Sequence, residues 1–274
     1  MNFRRTIALG LVVAACVAGI PVRSVWAQEP FRLTSAARFL MGMDWGTLWI
    51  TGETLIPAGG RLDSGIKLDL SSDLGITQGE GSLASLEATI LENHLLKFDN
   101  LMFTPTGLKQ VPRELKFHNR TYPAGTLVES RIDLNWMRLN YGYKLFGGAS
   151  WWIAPRLGAH YLRSITTLNG ETKEEGTISN TRSLDGVYPV LGLEGRLLFP
   201  YGLDIGFETE GTHLITRGFL SSARLAASWE VYPNFVLSAG IFNRVVQYVE
   251  DNQPLNNEWF YVVSGYSVGV GFGF

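Results

Sequence analysis

The sequence predicts an all-β chain, a single antiparallel transmembrane β-barrel of about ten strands. Three observations carry that expectation. Side chains alternate between apolar and polar over segments of roughly ten residues, the pattern of a strand with one face to lipid and one to a lumen. Beyond residue 27 no apolar run approaches the ~20 residues that a membrane helix needs. Composition is rich in glycine and aromatics, with 31 Gly, 8 Trp, 10 Tyr and 15 Phe, and 46% hydrophobic residues exclude a disordered chain.

The first 27 residues read as an export signal and residues 28–274 as the barrel domain. Arg4 and Arg5 form a positive start, Thr6 to Ile20 an apolar stretch, and Val25-Trp26-Ala27 a cleavage site ahead of Gln28. The alternative is Val13-Ala14-Ala15-Cys16, which resembles a bacterial lipoprotein box with Cys16 as the lipidated residue. Cys16 is the one cysteine of the sequence. Cleavage at Ala27 leaves no thiol for disulfides, metal sites or nucleophiles. It also removes Arg4, Arg5 and Arg23, which leaves 23 − 3 = 20 basic residues against 25 acidic ones, so nucleic acid is a poor partner.

Ten segments then follow in order: 37–52, 82–92, 94–104, 130–145, 151–166, 187–199, 202–214, 220–232, 235–249 and 259–274. Leu203, Ile205 and Phe207 share one face while Asp204, Glu208 and Glu210 share the other. Long polar connections at 53–81, 105–129, 167–186 and 250–258 alternate with tight ones at Glu92-Asn93-His94, Gly147-Gly148-Ala149, Pro200-Tyr201-Gly202 and Pro233-Asn234. Outer-membrane barrels show that asymmetry, with short periplasmic turns, and an even strand count puts both termini in the periplasm. Tyr143, Phe146, Trp151, Trp152, Phe199, Tyr201, Trp229, Tyr232 and Phe235 crowd the short turns as an interfacial girdle. Apolar residues change parity within 130–145, from Ile132, Leu134 and Trp136 to Leu139, Tyr141 and Tyr143. A β-bulge near Trp136-Met137 is therefore expected.

The last strand, Val268-Gly269-Val270-Gly271-Phe272-Gly273-Phe274, resembles the C-terminal assembly signal of Gram-negative outer-membrane β-barrels, with Gly269, Phe272 and Phe274 as matching positions. The resemblance implies the cell outer membrane as location, membrane lipids as surroundings and the barrel-assembly machinery as a partner during biogenesis. A polar residue usually opens that signal, and here Val268 stands in its place. Lys67 to Gly75 is similar to a segment of uncharacterised proteobacterial barrels, a likeness that implies no activity. Val268, Val270, Phe272 and Phe274 are expected to face lipid, and the intervening glycines a crowded lumen.

Parity assigns a charge network to the lumen. Its acids are Asp44, Glu87, Asp99, Asp133, Glu194, Asp204, Glu208, Glu210 and Glu230; its bases are Lys97, Arg131, Arg138, Lys144, Arg156, Arg196, Arg224 and Arg244. Near balance suits a space-filling network, since an unpaired charge in a narrow lumen is costly, and a barrel of this size lies near the filled end of the range. A narrow pore lined by the same charges is the alternative.

The chain offers four histidines for catalysis. His94 falls at a turn and His118 in a long loop, His160 points inward near Arg156 and Glu194, and His213 points outward, away from Glu208 and Glu210. No motif of the omptin proteases, lipid A deacylases or outer-membrane phospholipases is present. Asp63, Asp69 and Asp73 miss calcium-loop spacing, so a solvated acidic loop is expected, as it is for Glu171-Thr172-Lys173-Glu174-Glu175. No cofactor is implied. The expected role is a structural barrel or a narrow passage for small solutes. The alternatives are an enzyme acting on lipid or peptide at the outer rim and a binding protein working through loops 53–81 and 105–129.

Overall fold

Strict alternation along a strand puts every second side chain on one wall, and a sheet that closes on itself leaves one wall for lipid and one for the lumen. The computed structural model describes residues 37–55, 67–117, 120–172, 176–214, 218–252 and 255–274. The export segment, Cys16, Asp63 and His118 lie outside them, as do Lys173, Glu174 and Glu175.

Ten long strands carry the pattern: β1 (Ala37–Leu55), β2 (Gln78–Ile90), β3 (His94–Phe103), β4 (Leu127–Tyr143), β5 (Trp151–Thr172), β6 (Gly176–Leu198), β7 (Leu203–Leu214), β8 (Gly218–Tyr232), β9 (Phe235–Asn252) and β10 (Leu255–Gly273). Each pairs antiparallel with the next. β1 closes the ring on β10, from Leu40 opposite Gly273 to Leu55 opposite Glu258. Reciprocal backbone hydrogen bonds of 3.0 Å between Phe39 and Phe274 seal that seam, and their rings stack at 5.7 Å.

Both ends of the described barrel lie with the tight turns, here called the turn end. Left-handed backbone at Leu91, Glu92, Tyr201 and Asn234 makes those turns; asparagine tolerates that region better than most residues. At the opposite, loop end, two long connections cover the barrel. One holds a short strand, Lys67–Asp69, paired with β1. The other holds Thr106–Gln110, paired with β4, and a small hairpin of Leu115–Phe117 with Arg120–Tyr122.

Three expectations are corrected. The stretch 167–186 is largely strand, because β5 and β6 run to 22 and 23 residues with their ladder unbroken from Trp151 opposite Leu197 to Thr172 opposite Gly176. Likewise β9 and β10 extend through most of 250–258. Both stretches are mostly polar in sequence, without the apolar alternation that marks a half-buried strand. No bulge occurs at Trp136-Met137: β4 holds continuous register with β3 and β5 on both sides. Parity is constant, and the inside of the barrel itself changes chemistry along its axis.

Candidate functional site: a lumen in two layers

The outer wall is apolar around the ring. Met41, Trp45, Leu96, Leu139, Leu157, Leu191, Ile205, Leu225, Leu237, Ile241, Val268 and Phe272 are all exposed. Water would hydrate this surface poorly, whereas a bilayer accommodates it. At the turn end Tyr143, Phe146, Trp151, Phe199, Tyr201, Trp229 and Tyr232 are exposed as well. Trp152 departs from this group: it is buried on the lumen side, with the Lys144 amine 5.1 Å and the Arg196 guanidinium 5.7 Å from its ring centre.

The lumen nearer the turn end is ionic. Asp99 takes both oxygens to Arg138 Nε at 2.8 Å and meets Arg244 at 3.2 Å. Arg138 reaches on to Glu210 at 2.7 Å. Arg156 lies between Glu208 at 3.2 Å and Glu194 at 3.3 Å, and Lys97 pairs with Glu208. Arg196 holds Glu87 at 2.7 Å, Glu194 at 3.3 Å and Asp204 at 3.8 Å. Asp44 accepts from Arg224 at 2.6 Å and from Ser238 at 2.7 Å. Glu230 sits at the rim with Arg38, 3.3 Å away. Breaking any deep pair would strand a desolvated charge, a cost of several kcal/mol.

Two of the residues assigned inward lie elsewhere. Arg131 and Asp133 stand on the outer face of β4 and bind each other, Arg131 Nη2 donating to Asp133 at 2.7 Å. Their inward neighbours are Ile132 and Leu134, both buried. Without a bulge the inward parity of β4 stays on its even-numbered residues, and at this height the lumen is apolar, so the two charges stand outside.

His160 is fully buried and has other partners than Arg156 and Glu194. Trp136 Nε1 donates to its Nδ1 at 3.1 Å, and its Nε2 lies 2.7 Å from Glu210. An indole nitrogen only donates, so Nδ1 accepts and Nε2 carries the proton toward Glu210. His213 is exposed, and His94 binds Tyr141 Oη at 2.8 Å at the turn end. Among the described residues no group of three histidine, acidic or cysteine side chains could hold a metal ion.

Within this network a cavity of about 70 Å³ opens among Asp44, Glu87, Lys97, Glu194, Arg196, Asp204, Glu208 and Arg224. Gly269 belongs to the same wall, and a Cβ there would overlap the Asp44 carboxylate. A Cβ at Gly271 would press on Leu40 Cδ1 at 3.2 Å, and one at Gly273 would meet its nearest neighbour at 3.4 Å, so crowding is greatest at Gly269, slight at Gly271 and absent at Gly273. Phe272 and Phe274 face outward.

Above Trp136 the lumen becomes an apolar core. Leu48, Ile50, Leu83, Leu101, Phe103, Ile132, Leu134, Leu162, Leu184, Leu220, Val246 and Val263 form one cluster with residues of the two covering loops: Leu68, Leu70, Leu74, Ile76, Val111, Leu115, Phe117 and Tyr122. Tyr122 Oη donates to Leu168 O at 3.0 Å, and Asn180 Nδ2 donates to Phe117 O at 2.9 Å. Arg113 ties the loops together, donating to Asp73 at 2.9 Å and to Lys67 O at 3.1 Å. Asp69 accepts from the Ser71 and Ser72 amides. Asp73 is therefore a buried, paired residue rather than part of a solvated acidic loop.

No family model matches the chain, and no curated protein matches it in sequence. Solved structures do resemble it. The outer membrane protease OmpT from Escherichia coli superposes with a TM-score of 0.59 at 10% identity, over 90% of this chain and 100% of that chain. The translocator domain of the autotransporter NalP from Neisseria meningitidis gives 0.39 at 13% identity, over 98% and 95%. Ail, the attachment invasion locus protein of Yersinia pestis, gives 0.37 at 10% identity, over 86% and 99%. At 10% identity the likeness to OmpT shows the fold and nothing of activity. Ten closed antiparallel strands and an apolar outer wall make this chain an outer-membrane β-barrel.

Proposed function

We propose that the protein is a structural outer-membrane barrel whose lumen is sealed against solute passage, with both termini in the periplasm. One observation carries this reading: the two covering loops bury Leu70, Leu74, Ile76, Leu115, Phe117 and Tyr122 in the same core as the inward residues of the strands. A conducting pore needs a continuous hydrated path, and side chains packed to interior density leave none. The ionic half supports the seal from below, because its charges are spent on one another. Gly269, Phe272 and Phe274 serve assembly: two aromatics exposed at the turn end, beside a glycine that keeps the last strand tight against Asp44.

Single-channel recording of the refolded barrel in a planar bilayer tests the reading. The unmodified protein should give no steps, and a variant with Phe117→Asp and Tyr122→Asp, which places charge in the apolar seal, should flicker open. Regular steps from the unmodified protein would refute it.

A further inference from the structure

The barrel wall has a notch at the loop end. The β6–β7 ladder stops at Leu191 opposite Gly211, while β6 continues for 15 residues to Gly176. β7 and β8 end as a short hairpin, Leu214 opposite Gly218, and β9 resumes the wall beyond them. Pro189 explains the stop. Leu198 N–H donates to Ser150 O, so even-numbered residues of β6 address β5, and odd-numbered ones address the β7 side, as Phe199 N–H does in donating to Leu203 O. Counting up from Leu191, the next odd residue is Pro189, which has no N–H to give.

Above Pro189 the backbone N–H and C=O groups of Thr177, Ser179, Thr181, Ser183, Asp185 and Val187 therefore point sideways along an edge. This edge pairs with no described strand. It spans about 34 Å at the usual rise per residue. The Thr181 N–H is turned aside by the Asn180 side chain, which accepts it at 2.9 Å. The outward side chains of this stretch are hydroxyls and one carboxylate, so the edge stands in water above the apolar belt; Val187 and Leu191, both exposed, mark where that belt begins.

We propose that this edge is a docking site for an extended polypeptide segment that arrives from the loop side and adds a strand to β6. The occupant's chemistry follows from the edge. Its backbone must supply the complementary ladder, and its side chains must alternate as those of β6 do, inward ones meeting the apolar Ile178, Leu184 and Tyr188 with the polar Asn180 and Arg182 between them, and outward ones polar. A second copy of the barrel does not fit: β7 stands directly beneath the notch, where the continuation of a neighbour's strand would have to run. The site thus accepts a free segment that ends at the floor set by the β7–β8 hairpin.

The test uses the refolded full-length barrel and, as probe, a fluorescein-labelled nonapeptide alternating valine and threonine with a lysine at each end. Backbone hydrogen exchange at Thr177, Ser179, Ser183, Asp185 and Val187 should be fast without peptide and at least tenfold slower with it. The double variant Ser179→Pro with Ser183→Pro removes two edge donors and leaves the backbone β5–β6 ladder its donors, losing only the Ser179 Oγ bond to Asn169 on that side, and should weaken peptide binding by tenfold or more. Equal binding by the proline variant, no binding by either protein, or slow exchange at these amides before any peptide is added would each overturn the proposal. The exchange measurement stands even if the proline variant does not fold.

Discussion

The two halves of the lumen obey the same strand parity and reach opposite chemical solutions. Toward the turn end the strands point Asp99, Arg138, Arg156, Glu194, Glu208 and Glu210 inward, and each is held by partners on other strands. Toward the loop end the same strands point Leu101, Ile132, Leu134, Leu162 and Leu184 inward, and the partners come from the covering loops. In the ionic half cohesion depends on geometry, since a displaced charge loses its partner at once. Cohesion in the apolar half depends on volume, and a displaced methyl group loses contacts gradually. Trp136 and Arg244, 5.4 Å apart as a cation over a ring, mark the boundary.

Removing one charge should separate the halves most sharply. Asp99→Ala leaves Arg138 and Arg244 facing each other in the interior, and should cost about 3–5 kcal/mol in urea unfolding from detergent micelles. A double variant, Asp99→Leu with Arg138→Met, should recover much of that loss. If the single variant unfolds like the parent, the ionic half is not the rigid member of the pair.

Phe117→Ala should cost about 3 kcal/mol through the cavity it opens. It should also make the chain cleavable by trypsin after Arg113 and Lys116 while the strands remain intact. Coincident loss of loop protection and barrel would mean that the halves melt as one.

Gly269→Ala forces a methyl group into the Asp44 carboxylate and should cost about 1–3 kcal/mol. Gly273→Ala, with 3.4 Å available, should pass unnoticed in the same melt.

A smaller loss than at Gly269 is expected at Tyr122. Losing its bond to Leu168 O in Tyr122→Phe should cost about 0.5–1.5 kcal/mol. Burial pushes the Tyr122 phenol from 10 up to about 12. Its folded value lies above the unfolded one, so its contribution is intact below pH 10 and is lost as the pH rises through 12. Melting temperatures between pH 9 and 12 should fall more for the parent than for the phenylalanine variant.

The sequence alone determined the ten strands, their order and the tight turns, because period-two alternation and turn residues are local properties. It also marked Asp44, Glu87, Lys97, Asp99, Arg156, Glu194, Arg196, Asp204, Glu208, Glu210, Arg224 and Arg244 as inward, since within one strand a charge beside lipid-facing neighbours has one place to go. Only the tertiary structure decided that the interior is half ionic and half apolar. Ile132 and Leu134 carry the same letters whether they meet lipid or Leu115 and Phe117, and their meaning rests on loops distant in the chain that fold back into the barrel. The partners within the charge network were decided in the same way: Arg138 meets Glu210, 72 positions away, because closure of the ring brings β4 and β7 across one narrow lumen.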